Sequence, residues 1–161
     1  MVYSRLDSAC GRDYRNRMKL FRQDTKVDAL RRAPLFQGLS RKQLVQLARM
    51  SEDLEVPAGK VLCKEGEVGQ EFFVIIDGEV EVTRNGKRLA ARAGGEFFGE
   101  IALLEETPRM ATVTAKTPLH FFVLTRRNFR QLIRDNPGVE LKVLQALARR
   151  LIQVSDDPTL A

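Results

Sequence analysis

One stretch of the chain combines residue types that could hold an anion. It runs Phe97-Phe98-Gly99-Glu100-Ile101-Ala102-Leu103-Leu104 and, after Pro108, Arg109-Met110-Ala111-Thr112-Val113. Ile101 to Leu104 are helix-compatible, Gly99 precedes them and Pro108 stops them. A helical turn this short leaves its first N–H groups unpaired and pointing one way, which suits an anion. Gly99 allows positive φ and close backbone approach, and Ala102 adds almost no bulk beside those groups. Arg109 lies just past the turn, where a guanidinium could grip a phosphate through two parallel N–H bonds. Glu100 is the odd member, because a carboxylate repels an anion. It makes sense beside a ligand carrying a hydroxyl next to its phosphate, as a sugar phosphate does. On spacing alone, an ordinary loop in which Glu100 caps the turn and pairs with Arg109 accounts for the same residues.

The elements that must position this stretch follow from period and turn chemistry. Ser40-Arg41-Lys42-Gln43 fits a capping box, with Leu39 and Leu44 as the hydrophobic staple, and the helix it opens runs to about Met50. From Leu54 the period becomes that of strands, at Leu54–Val56, Val61–Lys64, Phe72–Ile76, Glu79–Thr83, Lys87–Arg92, Ala111–Ala115 and Leu119–Leu124. Glu79–Thr83 alternates cleanly, and Asn85-Gly86 after it tolerates the positive φ of a type I′ hairpin turn. Thr125 caps a helix through Phe129, Leu132 and Ile133, and Asn136-Pro137 starts another, with Leu144, Leu147, Leu151 and Val154 as its stripe. The expected fold is mainly β with flanking α. It is an antiparallel, jelly-roll-like β-roll of about eight strands with an N-terminal helical segment, a short phosphate-binding helix and two C-terminal helices.

Length and charge set bounds. At 161 residues the chain has room for one domain, and 43% apolar against 30% charged residues can bury a core. The net charge of +6 is uneven: residues 1–32 carry nine basic and four acidic side chains, leaving the remainder close to neutral. We divide the chain into a basic extension over 1–32, a domain over 33–155 and a short tail over 156–161. The arm is a solvated extension or a surface for nucleic acid, an acidic partner or anionic lipid, and a basic cluster alone does not choose. No apolar run approaches the ~18 residues of a membrane span, and the start lacks a signal peptide, so a cytoplasmic protein is expected. Cys10 and Cys63 are too few for a zinc site, and His120 alternates with apolar residues as a buried or edge-strand side chain. No Gly-Lys-Ser/Thr phosphate loop and no nucleophile–base set is present, so an enzyme is not expected.

The cassette Phe98-Gly99-Glu100-Ile101-Ala102-Leu103-Leu104 with Pro108-Arg109-Met110-Ala111-Thr112-Val113 closely resembles the phosphate-binding cassette of the cyclic nucleotide-binding domain family. Glu65-Gly66-Glu67-Val68-Gly69, then Phe72-Phe73-Val74-Ile75 and Gly78-Glu79-Val80, is similar to that family's second glycine-rich signature, and the likeness covers about residues 30–154. The resemblance implies a non-catalytic sensor of a cyclic nucleotide whose last helix closes on the ligand and signals to a protein effector in trans. By it, Gly99 and Ala102 offer N–H groups to the cyclic phosphate with Ile101 between them, Arg109 neutralises it, and Met110 and Ala111 line its far side. Glu100 accepts from the ribose 2′-hydroxyl, Val82, Leu89 and Phe97 form the base pocket, and Arg149 caps the purine. Met110 stands where Ala, Ser or Thr is usual and cannot donate a hydrogen bond, which favours cAMP over cGMP. Gln70 stands where an acidic residue that supports the arginine is frequent. A degenerate domain serving as an interaction scaffold and a nucleic-acid binder acting through the arm are the alternatives. Whether two chains associate as a homodimer stays open, as does the presence of an output domain beyond this short chain.

Overall fold

The computed structural model describes residues 23–154, so residues 1–22 of the basic extension, Cys10 and the tail over 156–161 lie outside the described residues. Helix α1 (Gln23–Arg32) leads through a 3-10 turn (Pro34–Phe36) into α2 (Arg41–Met50). Ser40 accepts from the Gln43 N–H and the Gln43 side chain accepts from the Ser40 N–H, so the capping box forms as expected. Eight strands follow: β1 (Glu52–Val56), β2 (Val61–Cys63), β3 (Glu71–Asp77), β4 (Glu79–Arg84), β5 (Lys87–Ala93), β6 (Phe97–Phe98), β7 (Thr112–Ala115) and β8 (Leu119–Thr125). Between β6 and β7 lies the five-residue helix α3 (Glu100–Leu104), and α4 (Arg126–Asp135) and α5 (Pro137–Val154) close the described chain.

The strands form two four-stranded antiparallel sheets, ordered β1-β8-β3-β6 and β2-β7-β4-β5. Their facing surfaces enclose one core, built from residues such as Phe73, Ile75, Phe121, Val113 and Val80. The other face of β3 and β8 turns Phe72, Val74, Phe122 and Leu124 toward the helices. Burial on both faces is why these strands read as unbroken apolar runs instead of alternating ones. Fully burying each such phenylalanine contributes about 1.5–3 kcal/mol. The β4–β5 hairpin turns on Asn85 (φ 51°) and Gly86 (φ 75°), the positive pair that its type I′ geometry requires.

Three expectations change. Val27, Ala29 and Leu30 of α1, which fall within the stretch read as a basic extension, are buried in the helical core. Phe97–Phe98 forms a two-residue strand against β3, too short to show a period. On α5 the buried face runs through Val139 and Val143, while Leu144 and Leu151 of the expected stripe are each 54% exposed. The apolar side chains on this helix outnumber those its single packed face can take.

His120 sits on the inner strand β8, where Nε2 donates to Asp53 Oδ1 of β1 at 2.5 Å. Burial pulls the imidazole pKa down, but the hydrogen bond to Asp53 and the charges of Asp53, Glu55 and Asp77 outweigh it and raise it. A raised folded-state pKa stabilises the fold fully below the unfolded value of about 6.5, and that contribution is lost as pH climbs through the folded value. The urea midpoint should therefore fall as pH rises above about 6.5, with a smaller fall in His120→Gln. Parallel pH profiles for the two proteins would remove His120 as the cause.

Candidate ligand site

Gly99 adopts φ 93° as the N-cap of α3, the conformation expected of it. A Cβ there would lie 2.8 Å from both Arg109 Nη1 and the Glu71 carbonyl oxygen, so the position also needs the missing side chain. The first N–H groups of α3 have no intrahelical acceptor, and the residues that carry them line a cavity of about 550 Å³. Gly99, Glu100, Ile101 and Ala102 line it from one side, and Arg109, Met110 and Ala111 from another. Val82 and Leu89 of the β4–β5 hairpin supply an apolar wall, and Leu147, Arg150 and Leu151 of α5 cover it.

Two expected members lie elsewhere. Arg149 and Phe97 line a separate cavity on the far side of Arg150, and Phe98 takes the place of Phe97 in the larger one. Arg150, one position along the helix, is the residue that enters the site. Its Nη1 donates to Glu100 Oε1 at 2.7 Å, its Nη2 donates to the Phe97 carbonyl, and its guanidinium lies 4.7 Å from the Phe97 ring centroid. Consecutive residues on a helix point about 100° apart, so Arg149 reaches only the smaller cavity while Arg150 stands between the two and lines both.

Arg109 is buried, and its fork is held by protein groups. Nη1 donates to the Gly99 carbonyl at 2.9 Å, and Nη2 donates to the Glu71 carbonyl at 2.8 Å and to Glu71 Oε2 at 3.3 Å. The acid that supports Arg109 is thus Glu71, one residue beyond Gln70. The 65–70 turn is tied to Arg109 by the Gly66 N–H to the Arg109 carbonyl and the Arg109 N–H to the Glu67 carbonyl, both at 2.8 Å. A Cβ on Gly69 would lie 2.5 Å from Arg109 Cζ, which explains the second glycine-rich segment: its backbone rests on the guanidinium.

Glu100 is 2% exposed and does not pair with Arg109, as an ordinary capped loop would have it. Arg150 takes Oε1, while Oε2 is buried and has no hydrogen-bond partner. A buried carboxylate oxygen left this way costs free energy until a donor reaches it, so the site suits a ligand hydroxyl. Cys63 also lines the cavity, and burial pushes its thiol up to about 12, which makes it an inert wall. Among the described residues no group of His, Cys, Asp and Glu could hold a metal ion, and no helix is long and apolar enough to cross a membrane. The site can therefore offer N–H donors and guanidinium charge to an anion, and an acceptor to a hydroxyl beside it.

The family described as cyclic nucleotide-binding domain matches residues 53–136. The chain is 38% identical over 118 residues to a cyclic nucleotide-gated potassium channel of Rhizobium etli, covering 73% of this chain and 33% of the channel. It spans about a third of the length of the first curated relatives it matches. A cAMP-bound PfPKA-R structure superposes with a TM-score of 0.72 at 25% identity, over 86% of this chain and 49% of that one. The regulatory subunit of a cAMP-independent protein kinase A from Trypanosoma brucei superposes with a TM-score of 0.69 at 27% identity, over 80% and 47%.

Proposed function

The chain belongs to the cyclic nucleotide-binding domain family, and on that premise we propose that it is a regulatory module that binds cAMP. The observation that carries this reading is Glu100, a buried carboxylate with Oε2 unpartnered, set at the start of α3 beside Arg109. The cyclic phosphate meets the N–H groups of Gly99 and Ala102, with Ile101 between them, and the Arg109 guanidinium, and the ribose 2′-hydroxyl donates to Glu100 Oε2. The purine lies against Val82 and Leu89 under Leu147 and Arg150. Met110 offers no hydroxyl to a guanine, so cAMP is preferred to cGMP. Arg150 joins α5 to the carboxylate that holds the ribose, so ligand contacts there bias the position of the helix, and a protein partner reads that position.

The purine nucleotide has about 22 heavy atoms, and roughly 0.3 kcal/mol for each gives about −7 kcal/mol, a dissociation constant near micromolar. A titration with fluorescent cAMP, repeated with cGMP as competitor, tests the reading. Saturation near micromolar with weaker cGMP competition is expected, and no saturable binding of either would end it. Arg150→Ala should weaken cAMP about tenfold, since it removes a charge-assisted contact on Glu100 and the cover over the base. An unaltered constant would leave α5 without a role in binding.

A second reading is a domain that keeps the cassette as structure without responding to cAMP. Arg109 favours it, because its fork is already occupied by Glu71 and Gly99. The same titration separates the two.

A further inference from the structure

Beyond the nucleotide cavity, α5, the 3-10 turn and the turn between β5 and β6 enclose a second cavity of about 330 Å³. Four cationic side chains line it, Arg92, Lys142, Arg149 and Arg150, against the single carboxylate of Glu96. Its floor is apolar, with Leu35 and Phe97 each at most 5% exposed. We propose that this cavity is a second anion site, taking a small phosphate-bearing ligand between Arg92 and Arg149.

The accounting of each charge carries the assignment. Arg150 is spent on Glu100 and the Phe97 carbonyl. Lys142 Nζ donates to the Pro34 and Gln37 carbonyls, at 3.2 and 2.5 Å, which hold it beside the cavity without neutralising it. Glu96 turns Oε2 back to accept from the Ala93 N–H at 2.8 Å, capping its own turn. Arg92 is half-buried, yet among the described residues its one side-chain hydrogen bond runs from Nη1 to the adjacent Ala91 carbonyl at 3.3 Å, and no carboxylate forms an ion pair with it. Arg149 has no hydrogen bond or ion pair among the described residues. Burial first, and then the neighbouring Arg150, lower the pKa of Arg92 against the opposing pull of Glu96 and Glu100. A partly desolvated guanidinium without an anion is costly, and a tetrahedral dianion offers enough acceptor oxygens to serve two guanidinium forks at once.

Calorimetric titration of the described protein with pyrophosphate, against sodium chloride of matched ionic strength, tests this. Saturable binding is expected, with Arg92→Gln and Arg149→Gln each weakening it about tenfold. Arg127→Gln on α4, which removes the same charge elsewhere, should leave it unchanged. Arg149 is exposed, so its variant keeps the fold and decides the matter if Arg92→Gln does not. Amide resonances of Gly94, Gly95 and Ala146 should shift on titration while those of Ile101 and Ala102 stay. Absence of saturable binding, affinity unchanged in Arg149→Gln, or shifts centred on Gly99–Ala102 would overturn the assignment. Arg92 also lines the nucleotide cavity, so Arg149→Gln and the amide shifts, which involve no cyclic nucleotide, are the readouts that set this site apart from the one tested by the cAMP titration.

Discussion

Replacing Arg109 by glutamine is expected to weaken cAMP binding by about ten- to a hundredfold, the loss of one charge-assisted phosphate contact worth roughly 1.5–3 kcal/mol. The same change should destabilise the protein. Glu71 is buried, and Arg109 is the cation that pairs with it. Removing one partner of a buried pair costs about 3–5 kcal/mol, because the carboxylate left behind is desolvated and uncompensated. That lies within the stability of an ordinary domain, so the fold should survive with its melting temperature lowered by on the order of 10 °C. The two effects are separable by melting each protein without cAMP and with cAMP at about ten times the dissociation constant of the parent. Ligand should raise the midpoint of the parent and leave that of Arg109→Gln nearly unmoved. An equal rise in both would remove Arg109 from the binding site while leaving its structural pairing intact.

Gly69→Ala is expected to reproduce the loss of affinity with Arg109 still present. The added methyl would overlap Arg109 Nε and lie 2.5 Å from Cζ, a spacing that atoms do not tolerate. A flexible arginine would swing aside at little cost, but this one is held by the Gly99 and Glu71 carbonyls and by the Glu71 carboxylate. Either the guanidinium leaves those acceptors or the 65–70 turn backs away, and the turn is itself tied to the Arg109 backbone on both sides. We expect affinity to fall about tenfold or more and stability by about 1–3 kcal/mol, the usual cost of overpacking. Gly66, with nothing within 4 Å of a Cβ, has a positive φ of 84°, so its alanine variant would be strained without touching Arg109. Gly66→Ala should therefore lower stability while sparing affinity. If Gly69→Ala bound cAMP as the parent does, the guanidinium would not need the seat described for it.

The sequence by itself determined the cassette and the class of fold, for reasons of range. Gly99, Glu100, Ala102 and Arg109 lie within eleven positions, and a turn so short leaves their backbone few arrangements, so type and spacing carried the chemistry. The strand runs and the Asn85-Gly86 turn were equally local, since period and positive φ are properties of neighbours. What joins distant elements was decided only in three dimensions. Glu71 reaches Arg109 across 38 positions, and which acid of the 65–71 segment would do so depended on how the turn folds against Gly69. Arg150 reaches Glu100 across 50 positions, and Arg149 was as good a candidate until the helix was seated. A rotation of about 100° about the axis of α5 separates them, and the rotation is set by Val139 and Val143 packing in the helical core, which no local pattern reports.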